Sequence, residues 1–261
     1  MAVEVVAAGQ VLVVEEESSD MYKDFSKVYD LLMWDYDYEK WSEYYKEIFE
    51  SFSIAPETIL EVGAGTGSMT EVLSRDYREV VAIDPSPAML TLAREKLFDA
   101  RNVRFLLKDI RDFEIEKKFD ACVAACDVMN YMLTKEDFIL ALKNVRGALR
   151  EGGLFLFDMS SYYKLSEILG DNTFIHDTED IYYVFQGEFA GDTEHIDLNI
   201  FIKEGDFYKR YSEVQSMRAY KIKEVLSMVD QAGFREFEAL APFSFSRPKE
   251  VTERILFLGR K

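Results

Sequence analysis

From residue 58 onward the chain alternates short, almost wholly apolar runs with longer stretches in which apolar residues recur every three or four positions. The first kind of run suits strands buried on both faces and the second suits helices with one packed side. Together they predict a parallel sheet wrapped by helices. Thr58-Ile59-Leu60 reads as the first strand and Met69 to Arg75 as a helix. Val80 to Ile83 is the second strand, ending at Asp84, after which Ser86 and Pro87 supply an N-cap and a first-turn proline for a helix reaching about Asp99. Val103 to Leu107 and Phe119 to Ala125 are further strands, the latter running into Cys126-Asp127. Thr134 and Asp137 open a helix with Phe138, Leu142, Val145 and Leu149 on one face, and Gly152-Gly153 stops it. Leu154 to Phe157 is the next strand, ending at Asp158.

After Ser160 the period becomes two. Ile196, Leu198, Ile200 and Ile202 alternate with His195, Asp197, Asn199 and Phe201, and Glu204-Gly205-Asp206 turns into Phe207 to Ala219. With Ile181 to Phe189 ahead of it, this is an antiparallel meander. Helical spacing returns at Ile222, Val225, Leu226 and Val229, and strands at Phe234 to Ala241 and Arg254 to Gly259 come after it. The expected organisation is therefore an extension over 1–20, a core over 21–160, an inserted meander over 161–219 and the rest of the core over 220–261. Residues Met21 to Phe52 are helical in pattern and rich in aromatics, which suits either packing on the core or a lid that excludes water from a ligand. Val3 to Val14 is apolar, but Glu4 interrupts it and Glu15-Glu16-Glu17 come directly after it. The expectation is a poorly ordered leader or a loosely docked strand, not a signal peptide.

A length of 261 residues with 48% hydrophobic content is enough for a full core. The net charge of −18 repels phosphate backbones and argues against nucleic acid as a partner. Two cysteines, Cys122 and Cys126, are too few for a disulfide framework or a zinc site, so reduced thiols in the cytoplasm are expected. No apolar run approaches the roughly 18 residues of a membrane span.

The chemistry concentrates in Glu61-Val62-Gly63-Ala64-Gly65-Thr66-Gly67, between the first strand and its helix. Glycines at alternate positions let backbone approach a ligand where a Cβ would collide. The spacing is not the G-x-G-x-x-G of a dinucleotide site, so the ligand is a nucleoside without a pyrophosphate. Glu61, Asp84 and Asp109 come to one edge of the sheet, where open α/β folds bind ligands. Asp84 suits a ribose diol, or alternatively the dipole of the helix after it. Three acids repel pyrophosphate and suit a cationic nucleoside, a description that fits S-adenosylmethionine.

The run Ile59 to Gly67, the Asp84-Pro85-Ser86 strand end, Asp109, Leu149-Arg150-Glu151-Gly152-Gly153 and Phe157-Asp158 resemble the motifs of class I S-adenosylmethionine-dependent methyltransferases. Tyr29-Asp30-Leu31-Leu32-Met33, Tyr38 with Trp41, Cys126 to Tyr131, Phe174 with His176, and Glu253-Arg254-Ile255 resemble the YqeM-like group within them. Phe185, where that group leads one to expect tryptophan, and Glu151, where proline is common, depart from the pattern. The resemblance implies a Rossmann-like α/β fold: a seven-stranded, mostly parallel sheet with helices on both faces and the antiparallel meander inserted after the fifth strand. It implies S-adenosylmethionine as cofactor and S-adenosylhomocysteine as product. Gly63 and Gly65 would line the methionine and ribose, Asp84 would hold the ribose hydroxyls, Asp109 the adenine amine, Ile110 the adenine through its backbone, and Cys126 would lie beside the methionine. Tyr22, Trp41, Glu61, Ala64, Gly67, Pro85, Met89 and Asp127 complete the expected cofactor site, with no metal.

Methyl transfer is an in-line displacement, so the protein must align the acceptor and exclude water, with a base only for a protonated acceptor. Tyr131 and His176 are the candidates for catalytic contact, His176 in an expected loop; His195, alternating with the apolar face, reads as structural or exposed. The expected acceptor is a small molecule, and the meander would form either the acceptor side or a homodimer surface. A noncatalytic S-adenosylmethionine-binding module and an RNA methyltransferase are the alternatives.

Overall fold

Every position of the strand ahead of the glycine loop is buried, as a central strand covered on both faces requires, and the rest of the sheet is built outward from it. The computed structural model describes residues 2–7, 10–15, 26–33 and 36–261. In chain order the elements are β1 (Ala2–Ala7), β2 (Gln10–Glu15), α1 (Ser26–Leu32), α2 (Tyr38–Ser51), β3 (Thr58–Val62), α3 (Ser68–Asp76), β4 (Glu79–Asp84), α4 (Pro87–Lys96), β5 (Val103–Leu107) and β6 (Phe119–Ala124). A 3₁₀ turn at Val128–Tyr131 leads to α5 (Lys135–Ala148) and β7 (Leu149–Ser160), and a π-helical stretch at Lys164–Leu169 to β8 (Thr173–Asp177). Then come β9 (Ile181–Ala190), β10 (Thr193–Glu204), β11 (Phe207–Arg218), α6 (Ile222–Gln231), β12 (Arg235–Leu240) and β13 (Arg254–Arg260).

Seven strands form one sheet in the order β12-β13-β7-β6-β3-β4-β5. Neighbours from β7 to β5 pair in parallel, and β13 runs antiparallel to both β7 and β12. This is the Rossmann-like arrangement expected from the sequence. Alternation along β3 sends Leu60 and Val62 to the side packed by Phe138, Phe155, Phe157 and Phe234, and Ile59 to the side packed by Trp41, Tyr45, Ile48, Phe49 and Leu73. The helices start at the caps read from sequence. Ser86 Oγ accepts the Met89 N–H at 3.3 Å, and Thr134 Oγ1 accepts that of Asp137 at 3.0 Å.

The second sheet runs β11-β10-β9-β8, all antiparallel, and its inner face, with Ile196, Leu198 and Ile200, packs on Val28 of α1, Met89 of α4 and Leu165. It has one strand more than the pattern predicted. β8 is mostly exposed at a sheet edge, so it lacks the apolar alternation that reveals a strand, and His176 sits in it opposite Tyr183, not in a loop. The aromatic segment before the glycine loop also differs from one continuous helical pattern: Asp37 starts α2 afresh, its Oδ1 accepting the Lys40 N–H at 3.0 Å. β1 and β2 pair with each other in a separate ribbon. Among the described residues no helix is long and apolar enough to cross a membrane.

Glu194 interrupts the apolar face of β10. It is fully buried, neither carboxyl oxygen has a hydrogen-bond partner among the described residues, and burial, with Asp171 adding to it, raises its pKa from 4.5 to about 7. A raised pKa means that the folded state holds the proton more tightly than the unfolded one. The stability this contributes is complete below about pH 4.5 and is lost as pH rises through about 7. Glu194→Gln is therefore expected to flatten the decline of melting temperature between pH 5 and 8; an unaltered slope in thermal scans would show that Glu194 does not carry it.

Candidate functional site

The strand order reverses beside β3, whose sheet neighbours are β4 on one side and β6 on the other, and a cavity of about 720 Å³ opens at the C-terminal ends of these strands. Its floor is the glycine loop. Gly63 and Gly65 have φ of +75° and +53°, conformations that L side chains rarely adopt. A Cβ on Gly63 would lie 2.3 Å from Val128 Cγ2, whereas at Gly65 the nearest atom is Tyr29 Cε1 at 3.9 Å. Gly63 thus permits close packing beneath the turn after β6, and Gly65 leaves backbone open to the cavity. Gly67 faces away: a Cβ there would meet Ala93 and Leu97 of the α4 region, so this glycine serves the packing of α3 on α4 and is not part of the cavity wall.

Asp84, at the end of β4, is buried, its Oδ2 accepting the Gly65 N–H at 2.9 Å and its Oδ1 the Ser86 N–H at 2.8 Å. The helix-start reading of this residue holds, since its carboxylate meets the backbone that opens α4. It ties the loop to the start of α4, and it lines the cavity beside Pro85. Glu61 is buried on the α2 and α3 side of β3, lines the cavity, and has an Oε2 with no hydrogen-bond partner among the described residues. Burial drives its pKa up to about 8, with the Thr70 hydroxyl pulling it down and Asp84 pushing it further up. An orphaned carboxyl beside open backbone fits a ligand that brings its own cation.

Asp109 and Ile110 line the cavity next to Asp84 and Pro85. Arg111 already forks the Asp109 carboxylate, with Nε at 2.9 Å and Nη2 at 2.6 Å, and donates its backbone N–H at 2.8 Å. That clasp holds the Asp109 carboxyl below its ordinary range, so a ligand amine would have to share the carboxylate with the guanidinium. Ala64, Met89 and Cys126 also reach the cavity, and burial pushes the Cys126 thiol up. Tyr131 enters from the 3₁₀ turn and donates its hydroxyl to Gln215 Oε1 at 2.8 Å.

Other expected site residues lie elsewhere. Trp41 is stacked on Tyr36 in the core, because α2 turns that face to the sheet. Asp127 is outside the cavity, with both oxygens held by Arg254. His176 stacks on Tyr183 and borders a separate small pocket with Val28, Leu31 and Leu32 of α1, apart from Tyr131. Tyr22 lies outside the described residues.

The aromatic segment read from sequence as core packing or a lid divides between the two positions, Trp41 in the core and Tyr29 and Tyr38 at the cavity, where a strand of the meander joins them. Tyr29 of α1, Tyr38 of α2 and Val214, Gln215 and Ser216 of β11 close the cavity. Asp30 anchors α1 to the loop through Thr66 Oγ1, Ser68 Oγ and Lys96 Nζ, the last at 2.7 Å. The alternating pattern of β11 reveals a strand but not which neighbour its edge meets. His195 Nδ1 hydrogen-bonds Ser216 Oγ at 2.9 Å on the polar face of that sheet.

Residues 59–153 match a family described as a methyltransferase domain. The chain is 34% identical over 246 residues to the methyltransferase-family protein YqeM of Bacillus subtilis (strain 168), the match covering 92% of this chain and 97% of that one. A solved S-adenosylmethionine-dependent methyltransferase from Clostridium acetobutylicum ATCC 824 superposes with a TM-score of 0.84 at 32% identity, covering 92% of this chain and 98% of the other. A dTDP-3-amino-3,4,6-trideoxy-alpha-D-glucopyranose N,N-dimethyltransferase of Streptomyces venezuelae is 29% identical over 141 residues, 53% of this chain and 58% of that protein.

Replacing Asp84 by alanine removes the acceptor for two backbone N–H groups and for any ribose hydroxyl. S-adenosylhomocysteine binding is expected to weaken by about 1.5–3 kcal/mol, roughly 10- to 150-fold. Calorimetry on the folded variant checks this, and unchanged affinity would remove Asp84 from the site.

Proposed function

The chain belongs to the YqeM-like family of S-adenosylmethionine-dependent methyltransferases, and from that premise we propose that it methylates the nitrogen of a small amine. The observation that carries this reading is the cover of the cavity. Tyr29, Tyr38 and Tyr131 line a space of about 720 Å³, a size suited to a cofactor and a small partner. Aromatic faces favour a cation or an amine over an anion. The amino-sugar relative acts on an amine by its name, in keeping with this choice.

When bound, S-adenosylmethionine supplies an electrophilic methyl on a positively charged sulfur that departs as a neutral thioether. The chain's own residues bind and orient. Asp84 receives the ribose hydroxyls, Gly65 gives backbone approach, and Glu61 meets the amino-acid ammonium with its orphaned oxygen. Ile110 and Val128 form apolar wall for the adenine. The tyrosine cover excludes water and aligns the nitrogen lone pair with the methyl group, so no covalent protein intermediate is needed.

Incubation with S-adenosylmethionine and a panel of small primary and secondary amines, matched with alcohols and carboxylic acids, is expected to yield S-adenosylhomocysteine with amines. Turnover confined to the alcohols or acids would overturn the choice of nitrogen. Tyr131→Phe loses the bond to Gln215 and is expected to lower acceptor kcat/KM about two- to tenfold, the equivalent of about 0.5–1.5 kcal/mol, with S-adenosylhomocysteine affinity unchanged. Steady-state kinetics with unaltered kcat/KM would exclude Tyr131 from the acceptor side.

A further inference from the structure

Strand β6 ends on the cavity, and the two residues after Ala125, Cys126 and Asp127, take φ of +63° and +66°. Neither is glycine, and two consecutive residues in the left-handed region persist only where their surroundings impose it. The surroundings are a largely buried cluster of charge, with Asp158 at its inner end. Arg254 of β13 forks the Asp127 carboxylate, with Nη1 at 2.7 Å and Nη2 at 2.9 Å, and Nη1 also binds Asp158 Oδ2 of β7. The other oxygen of Asp158, Oδ1, accepts the Cys126 N–H at 3.0 Å and the Tyr36 hydroxyl at 3.3 Å, while the guanidinium lies 5.3 Å from the centre of the Tyr36 ring. Both residues of the turn are therefore gripped, Cys126 by its backbone and Asp127 by its side chain.

The turn leads straight into the wall of the cofactor cavity. Val128 comes next and fills the space that a side chain on Gly63 would need, and Tyr131 closes the same 3₁₀ turn. Arg254, Asp127 and Asp158 do not themselves line the cavity. Burying two carboxylates with one guanidinium is a weak route to stability, since desolvation consumes much of the attraction. Its distinctive contribution is geometry, because a planar fork fixes the direction of the carboxylate it holds.

We infer that Arg254 is a positioning residue for the cofactor cavity: acting through Asp127 and Asp158, it holds the Cys126-Asp127 turn in the left-handed conformation that sets Val128 against the glycine loop. Lysine cannot reproduce the fork, and alanine at position 127 keeps the conformational penalty while losing the grip. Glycine at position 127 loses the grip but adopts positive φ at little cost.

The test measures S-adenosylhomocysteine affinity by calorimetry, and the KM for S-adenosylmethionine, in the full chain and in Arg254→Lys, Asp127→Ala and Asp127→Gly. The dissociation constant is expected to rise tenfold or more in Arg254→Lys and Asp127→Ala, with KM rising in parallel and kcat changing less. Asp127→Gly is expected to recover at least half of the loss, on a logarithmic scale, relative to Asp127→Ala. Both variants remove the same carboxylate from Arg254, so a role confined to the ion pair predicts equal losses, and that result would overturn the inference. Affinity within twofold of the parent in Arg254→Lys would overturn it as well. If Arg254→Lys does not fold, the alanine and glycine pair decides alone. A parent chain that does not bind S-adenosylhomocysteine would overturn the assignment of the cavity itself, a failure distinct from equal losses in variants of a chain that binds.

Discussion

One hydrogen bond, from the Gly65 N–H to Asp84 Oδ2 at 2.9 Å, joins the two halves of the cavity. A glycine loop turned up to expose its backbone has peptide groups that need partners, and a buried N–H left without one is costly. The carboxylate at the end of the neighbouring strand meets that need. Through its other oxygen it also fixes Ser86 at the start of α4. The loop is thereby held in shape by a residue that also lines the cavity. The rest of the cavity is arranged around this fixed floor: Val128 closes over Gly63, and Asp30 brings Tyr29 to Gly65 by gripping Thr66 and Ser68.

Electrostatics at the site differ from a count of acids. Glu61, Asp84 and Asp109 all reach the same cavity, yet they do not act as three full charges. Burial, with the push of Asp84, raises Glu61 to about 8, so it is mostly protonated at neutral pH, and Arg111 offsets Asp109. An incoming cation would favour the ionised form of Glu61 again. Selection against a pyrophosphate therefore comes as much from loop shape as from accumulated negative charge.

The fold is legible in the sequence because its information is local. The glycine spacing, the Ser86 and Thr134 caps and the apolar runs from Ile59 to Phe157 each report a short segment, and the sheet joins these segments in the arrangement their alternation implies. Asp84, Asp109 and Ile110 are legible at the cavity for the same reason, since strand ends in such a sheet share one edge. The hidden features depend on pairing between distant residues. Nothing around Asp127 announces that Arg254 takes both its oxygens, and nothing in the meander announces that the edge holding Gln215 covers Tyr131. Trp41 and Tyr38 lie three residues apart on α2, yet one packs into the core and the other faces the cavity. His176 reads as a loop residue because an exposed edge strand has no apolar period to betray it.

Crystal structures of the protein with and without S-adenosylhomocysteine would show whether Asp84 holds the glycine loop in its binding shape before any ligand arrives. The loop over 61–67 is expected to differ by no more than about 1 Å between the two. The Gly65 N–H is expected to stay on Asp84 in both, with the ribose hydroxyls on the same carboxylate in the complex. A loop that releases Asp84 in either state, or a ligand whose ribose binds elsewhere, would contradict this expectation.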